Sequence, residues 1–199
     1  KASKQIPSLK SGEKREAILI DFPQIESPLP NVWGRDEDLV IRIRVKEGVD
    51  LVDNLVHLNI DGEETILSLV DNLAELKWRF KEKGEYKMKA LAYLPQNVTL
   101  EGYKEIRIVD YREEIIRLFN MEFNLVRGDL DKLEIHFTAR DFQRMLKDHL
   151  PPGAGTPLER MINLFEEADY SIHDINRGAY TDYYQAYGRY KEHVGEEGV

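Results

Sequence analysis

The sequence predicts an α+β chain in two parts: an antiparallel β-sandwich followed by an all-α bundle of about four helices. Three observations predict it. Up to Asp110, apolar residues alternate with polar ones in short runs bounded by turn residues, the signature of half-buried strands. After Asp110 they recur every three or four residues almost to the end, the signature of amphipathic helices. The 199 residues suffice for two cores, and 42% hydrophobic with 33% charged residues is the composition of a folded chain. The expected division is a basic leader at 1–14, the sandwich at 15–109, the bundle at 110–194 and a short tail at 195–199.

Seven runs make the sandwich. AILID (17–21) is followed by LVIRIRV (39–45), which sets Val40, Arg42 and Arg44 against Leu39, Ile41, Ile43 and Val45. LVHLNI (55–60) joins TILSLV (65–70) through Asp61-Gly62, a tight hairpin dipeptide. LAELKWRF (73–80), YKMKALAYL (86–94) and YKEIRIV (103–109) complete the set. Seven short strands in about 95 residues is the immunoglobulin-like count. Lys83-Gly84-Glu85-Tyr86-Lys87-Met88 resembles the corner before the penultimate strand of immunoglobulin-like domains. That resemblance implies that Tyr86 hydrogen-bonds to nearby backbone and that Met88 enters the core where antibody domains carry a Cys. Trp78 does not match the antibody tryptophan, so the likeness is to broader immunoglobulin-like and polycystic-kidney-disease-repeat-like modules. Trp33, in the irregular loop SPLPNVWGRD (27–36), is the candidate contact of this half; its competing role is to pack over the end of the sandwich.

In the second half Asp110 is placed to cap YREEIIRLFNMEFNLV (111–126), with Glu113 completing a capping box and Gly128 ending the helix. Ile115, Phe119, Glu122, Phe123 and Val126 fall near one face. LEIHF (133–137) reads as briefly extended. Thr138 caps ARDFQRMLKDHL (139–150), whose apolar face holds Phe142, Met145, Leu146 and Leu150. Past the Pro/Gly break at 151–155, Thr156-Pro157-Leu158-Glu159 predicts a third helix capped by Thr156. A last helix from Asp174 to His193 turns Ile175, Ala179, Tyr183, Ala186 and Tyr190 inward. Tyr180, Tyr184 and Tyr187 flank that face. Aromatic stripes pack as core, but tyrosine is also enriched at interfaces, so these three are the candidate partner-binding residues.

The helical half also carries a family resemblance. Thr138-Ala139-Arg140-Asp141 is similar to a Thr-Pro-Arg-Glu helix start, and Phe165-Glu166-Glu167-Ala168-Asp169-Tyr170-Ser171 to a Phe-Glu-Glu-Ala-Arg-Tyr-Ser signature. Both belong to an uncharacterised C-terminal domain of membrane-bound transglutaminase-like proteins of bacteria and archaea, and the last helix matches in position. Ala139 replaces the Pro and Asp169 the second-signature Arg. The resemblance implies a membrane-anchored parent and an all-helical module without known activity of its own. The transglutaminase Cys-His-Asp site is not in this chain, which has no Cys.

Composition narrows the chemistry. A net charge of −9 argues against a nucleic-acid binder. Zero Cys removes disulfides, thiol nucleophiles and Cys-based zinc sites. The five His residues lack ligand spacing, and HExxH, GxSxG and Walker A patterns are absent. No catalytic residue, metal or cofactor is expected. Abundant Lys, Glu, Arg and Ile with rare Gln is a hyperthermophile bias. The leader KASKQIPSLKSGEKR is basic in an otherwise acidic chain; it reads as a flexible solvated terminus or, alternatively, as the cytoplasmic flank of a membrane span. The expected function is a non-catalytic scaffolding segment of a membrane-anchored protein, its partner another protein or other domains of the same parent. Two alternatives stand beside it: an extracellular glycan- or protein-binding module, and a hydrolase using His and carboxylates in an interdomain cleft.

Overall fold

Alternating sequence becomes eight strands in the computed structural model, which describes residues 17–129 and 138–195, the side chains of 125–129 excepted. The basic leader, the LEIHF run and residues 196–199 lie outside the described residues. The chain divides into two units, 1–108 and 109–199. In the first unit the strands are β1 (Ile18–Asp21), β2 (Val32–Gly34), β3 (Asp38–Val45), β4 (Leu55–Ile60), β5 (Glu63–Ser68), β6 (Leu73–Arg79), β7 (Gly84–Leu94) and β8 (Val98–Val109). They form two sheets, ordered β1-β3-β6 and β2-β8-β7-β4-β5. The registers of β1–β3, β3–β6, β4–β5, β4–β7 and β7–β8 are all antiparallel.

Both sheets supply one core. Leu39, Ile41, Ile43 and Val45 come from β3, and Val56, Leu58, Met88, Ala90, Leu100 and Ile106 from the facing sheet. Because side chains alternate with period 2, a one-residue slip in any of these strands would turn its apolar set to water. The Tyr86 hydroxyl donates to the Glu82 carbonyl oxygen at 3.0 Å, its half-buried ring lies 4.5 Å from that of Phe80, and Met88 is buried. The backbone bond and the buried methionine expected at this corner are both present.

Two expectations about this half need correcting. The segment around Trp33 is not only loop: Val32–Gly34 forms β2 beside β8, and Trp33 belongs to the sandwich core. Its ring is therefore packing material, not a contact surface. β8 also begins five residues before the expected run, at Val98 rather than Tyr103. The masking residue is Gly102, which interrupts the alternation for a steric reason. A Cβ there would lie 2.7 Å from the Ile18 carbonyl oxygen and 2.8 Å from Ile18 Cγ2. Gly102→Ala should accordingly destabilise the sandwich by about 1–3 kcal/mol through overpacking, measured as a lowered denaturation midpoint; an unchanged midpoint would mean that β1 yields freely.

The outer face of the three-stranded sheet is laced with ion pairs. Arg42 donates to Glu75 at 2.8 Å, and Asp38 accepts from Lys77 at 2.8 Å and Arg79 at 2.6 Å. Hydrogen bonds from Lys77 and then Arg79 hold the Asp38 carboxyl below its ordinary range.

In the second unit the helices are α1 (Tyr111–Asp129), α2 (Ala139–Leu146), α3 (Gly155–Tyr170) and α4 (Arg177–Val194). Asp110 Oδ1 accepts from the Glu113 amide at 3.2 Å, as a cap should. Thr138 and Asp141 make a complete capping box, though α2 stops at Leu146 instead of running to Leu150. The third helix does not start on Thr156. Ala154 takes the cap position without a side-chain bond, because a turn closed by Ala154 N to Pro151 O at 3.1 Å carries the chain straight into the helix. Ala154 is buried while Thr156 is exposed, so packing overrides capping chemistry at this end. The last helix begins three residues after Asp174, where Asn176 Oδ1 accepts from the Ala179 amide at 3.1 Å. Asn176→Ala should therefore cost about 1 kcal/mol, whereas Thr156→Ala should fall within about 0.5 kcal/mol of the parent. Paired urea melts check both, and equal losses would contradict this assignment of the two caps.

Candidate functional site

The interior of the helical unit is not purely apolar. Glu114 and Glu122 of α1 are only 3% and 5% exposed. A buried carboxylate demands partners, and each has them. Glu114 is gripped by the Arg117 fork at 2.9 and 2.7 Å. Glu122 accepts from the Tyr187 hydroxyl at 3.3 Å and faces Lys191 Nζ at 3.4 Å. Three tyrosines of α4 feel this carboxylate. Burial first, then the Glu122 charge, raises the Tyr183 and Tyr187 phenols, and the same two causes push Tyr190 up to about 12. Among the described residues the buried Tyr183 hydroxyl has no hydrogen-bond partner.

Phenols shifted in this direction stay protonated at neutral pH. They are hydrogen-bond donors and poor bases, the reverse of an activated nucleophile. The linkage has a definite sign: the folded form holds its phenolic protons to higher pH than the unfolded form, so the stabilisation is complete below pH 10.0 and is lost as pH rises towards about 12. Alkaline titration should show a delayed rise in phenolate absorbance and a falling thermal midpoint across that window. A titration of all tyrosines at their ordinary value with the fold intact would contradict it.

The four residues predicted as contacts fare unequally. Trp33 lies in the core of the sandwich. Tyr180 is 1% exposed and stacks on Tyr111, ring centroids 5.4 Å apart, so the expected stripe loses its first member to the core. Tyr184 and Tyr187 are half-buried, 6.3 Å apart, with Tyr187 tied to Glu122. What remains accessible is the Tyr184–Tyr187 pair.

Sequence reasoning missed a cluster that joins the two stretches carrying the family resemblance. Arg140, from the first, donates to Glu166, from the second, through Nε at 2.9 Å and Nη2 at 2.6 Å. The same guanidinium reaches Asn163 at 2.6 Å and Gln143 at 3.2 Å. Arg112 donates to the carbonyl oxygens of Ala168 and His173, closing the C-terminal end of α3. Ala139 holds the first helical position of α2, and Asp169 is exposed. Just beyond, Tyr170 is 74% and Ile172 94% exposed, apolar side chains that helical periodicity gave no reason to single out.

Among the described residues no group of three or more His, Asp and Glu is set to hold a metal ion, and no helix is long and apolar enough to cross a membrane. No family model matches the chain, and no curated protein matches it. Solved structures align with about half of it. A superoxide reductase (neelaredoxin) from Ignicoccus hospitalis is 13% identical over 47% of this chain and 80% of its own, with a TM-score of 0.37. The CARDB domain of a Pyrococcus furiosus protein, solved with di-metal ions, is 16% identical over 47% of this chain and 91% of its own, with a TM-score of 0.34. The fibronectin(III)-like modules of Clostridium thermocellum CbhA are 18% identical over 45% and 94%, with a TM-score of 0.33. Likenesses this distant bear on neither activity nor cofactor.

Proposed function

We propose that the chain is a non-catalytic interaction and scaffolding segment of a membrane-anchored protein, related to the transglutaminase-associated proteins that its helical half resembles. One observation carries the reading. Arg140 of one resembling stretch pairs with Glu166 of the other and thereby fastens α2 to α3. A signature that encodes a clasp is a signature for a platform. The protonated tyrosines around Glu122 point the same way, since they offer donors and no base.

In this reading the helical unit presents Tyr170, Ile172 and the Tyr184–Tyr187 pair to a protein partner or to another part of the same parent chain. The basic leader supports a tether on the cytoplasmic face. The ion-paired sheet face and the Cys-free composition support an archaeal, thermophilic source. A second reading, an extracellular glycan- or protein-binding module, draws on the exposed Tyr93 and Tyr103 of the five-stranded sheet.

A photoreactive aromatic residue at Ile172 of the full-length parent should crosslink to one reproducible protein product. Tyr170→Ser combined with Ile172→Ser should abolish the corresponding pull-down without moving the melting temperature. Sustained hydrolytic turnover by the purified chain, lost on His149→Ala or His173→Ala, would overturn the proposal in favour of a hydrolase.

A further inference from the structure

Charges are unevenly distributed along the sandwich. From Glu47 to Leu76 the sequence holds no Lys or Arg, while Glu47, Asp50, Asp53, Asp61, Glu63, Glu64 and Asp71 are acidic, as is Glu75, which pairs with Arg42. Those thirty residues include β4 and β5. β5 is the terminal strand of the five-stranded sheet, paired with β4 in uninterrupted register from Leu55↔Ser68 to Ile60↔Glu63. Among the described residues no strand pairs with its other edge.

Free sheet edges are ordinarily blunted by shortness, by lysine or proline, or by a bulge. The other edges here follow that rule. β1 has four residues and β2 three, and β6 carries Lys77 and Arg79. β5 has six residues, no Lys, no Pro and no break in register. Its exposed face carries Glu64, Ile66 and Ser68, with Ile66 57% exposed and Val70 beyond the strand 71% exposed. His57, 2.8 Å from Glu64, is the one residue of the acid stretch able to carry a positive charge.

We propose that the free edge of β5 is a docking strand for an extended, positively charged segment of another polypeptide. The incoming strand would take up the backbone groups of the edge by β-augmentation. Lys or Arg side chains on the exposed face of the incoming strand would meet Glu64 and the acids flanking the strand, and their aliphatic stems would cover Ile66. Charge complementarity selects this occupant over a second copy of the chain, because pairing two β5 strands would gather the acids of both copies along one ladder, where like charges repel. The proposal goes beyond the scaffolding reading and does not rest on the helical face.

The probe is a short soluble peptide alternating Lys with Val, with its Glu-for-Lys counterpart as control, titrated against the whole chain and followed by backbone hydrogen exchange. The Lys peptide should protect amides within Glu63–Ser68, bind more weakly as salt rises, and lose about tenfold in affinity to a Glu63→Lys, Glu64→Lys variant. Thr65→Pro should abolish binding. Since proline could also disturb β4–β5 pairing, the charge-reversed variant, checked for an unchanged melting temperature, carries the decision. Equal binding of the Glu peptide, protection confined to other strands, or undiminished binding by the charge-reversed variant would overturn the proposal. So would peptide-independent dimerisation through β5, which would make a second copy the occupant.

Discussion

The helical unit is organised by the need to satisfy one buried carboxylate. Taking Glu122 out of water costs several kcal/mol unless its oxygens find donors, and α4 delivers them from Tyr187 and Lys191. Those two residues are four apart and so lie on one face of α4. Sliding α4 by one turn along α1 would move both donors about 5.4 Å away and strand the charge. Apolar packing alone would tolerate such a slip far better, since Tyr183, Ala186 and Tyr190 repeat on a helical period. Glu122 therefore fixes register, and the tyrosines crowd round it with protonated phenols as a consequence.

Arg140 plays the matching part for α2. That helix has only eight residues and buries Phe142 and Leu146. Phe142 packs edge-on to Phe123 at 4.9 Å, and apolar contact of this kind holds a short helix without fixing its rotation. The guanidinium fork onto Glu166, with Asn163 and Gln143 filling its other donors, supplies direction. A lysine at this place would keep the charge and lose the planar, two-pronged fit. The stretches around Arg140 and Glu166 are thus joined for geometric reasons.

How much of this was legible in the sequence depended on range. Long alternating strands such as β3, β4 and β7 could be read directly, as could the Asp61-Gly62 turn, where Asp61 adopts φ 52° and Gly62 φ 99°. β2 was hidden because three residues between Pro30 and Arg35 cannot display a period. The first half of β8 was hidden by Gly102, whose reason for being there is Ile18, distant in sequence. Thr156 carried a true capping signal that a buried alanine pre-empted. Tyr180 looked like a flank until Tyr111 supplied a ring to stack on. Glu122 was placed on the apolar face by periodicity alone, but its partners lie 65 and 69 residues away and no local pattern announces them.

The same distinction separates the two ways this chain uses charge. On the outer face of the three-stranded sheet, cations and acids face each other across strands, as Arg42 does Glu75 and Arg79 does Asp38, and their fields cancel within a few ångströms. In the β4–β5 region the acids have no Lys or Arg along the chain to answer them. A net charge of −9 conceals this contrast entirely. Uncompensated charge of one sign beside a low-dielectric sheet raises the local concentration of opposite charge, and an unpaired strand edge adds direction to that attraction.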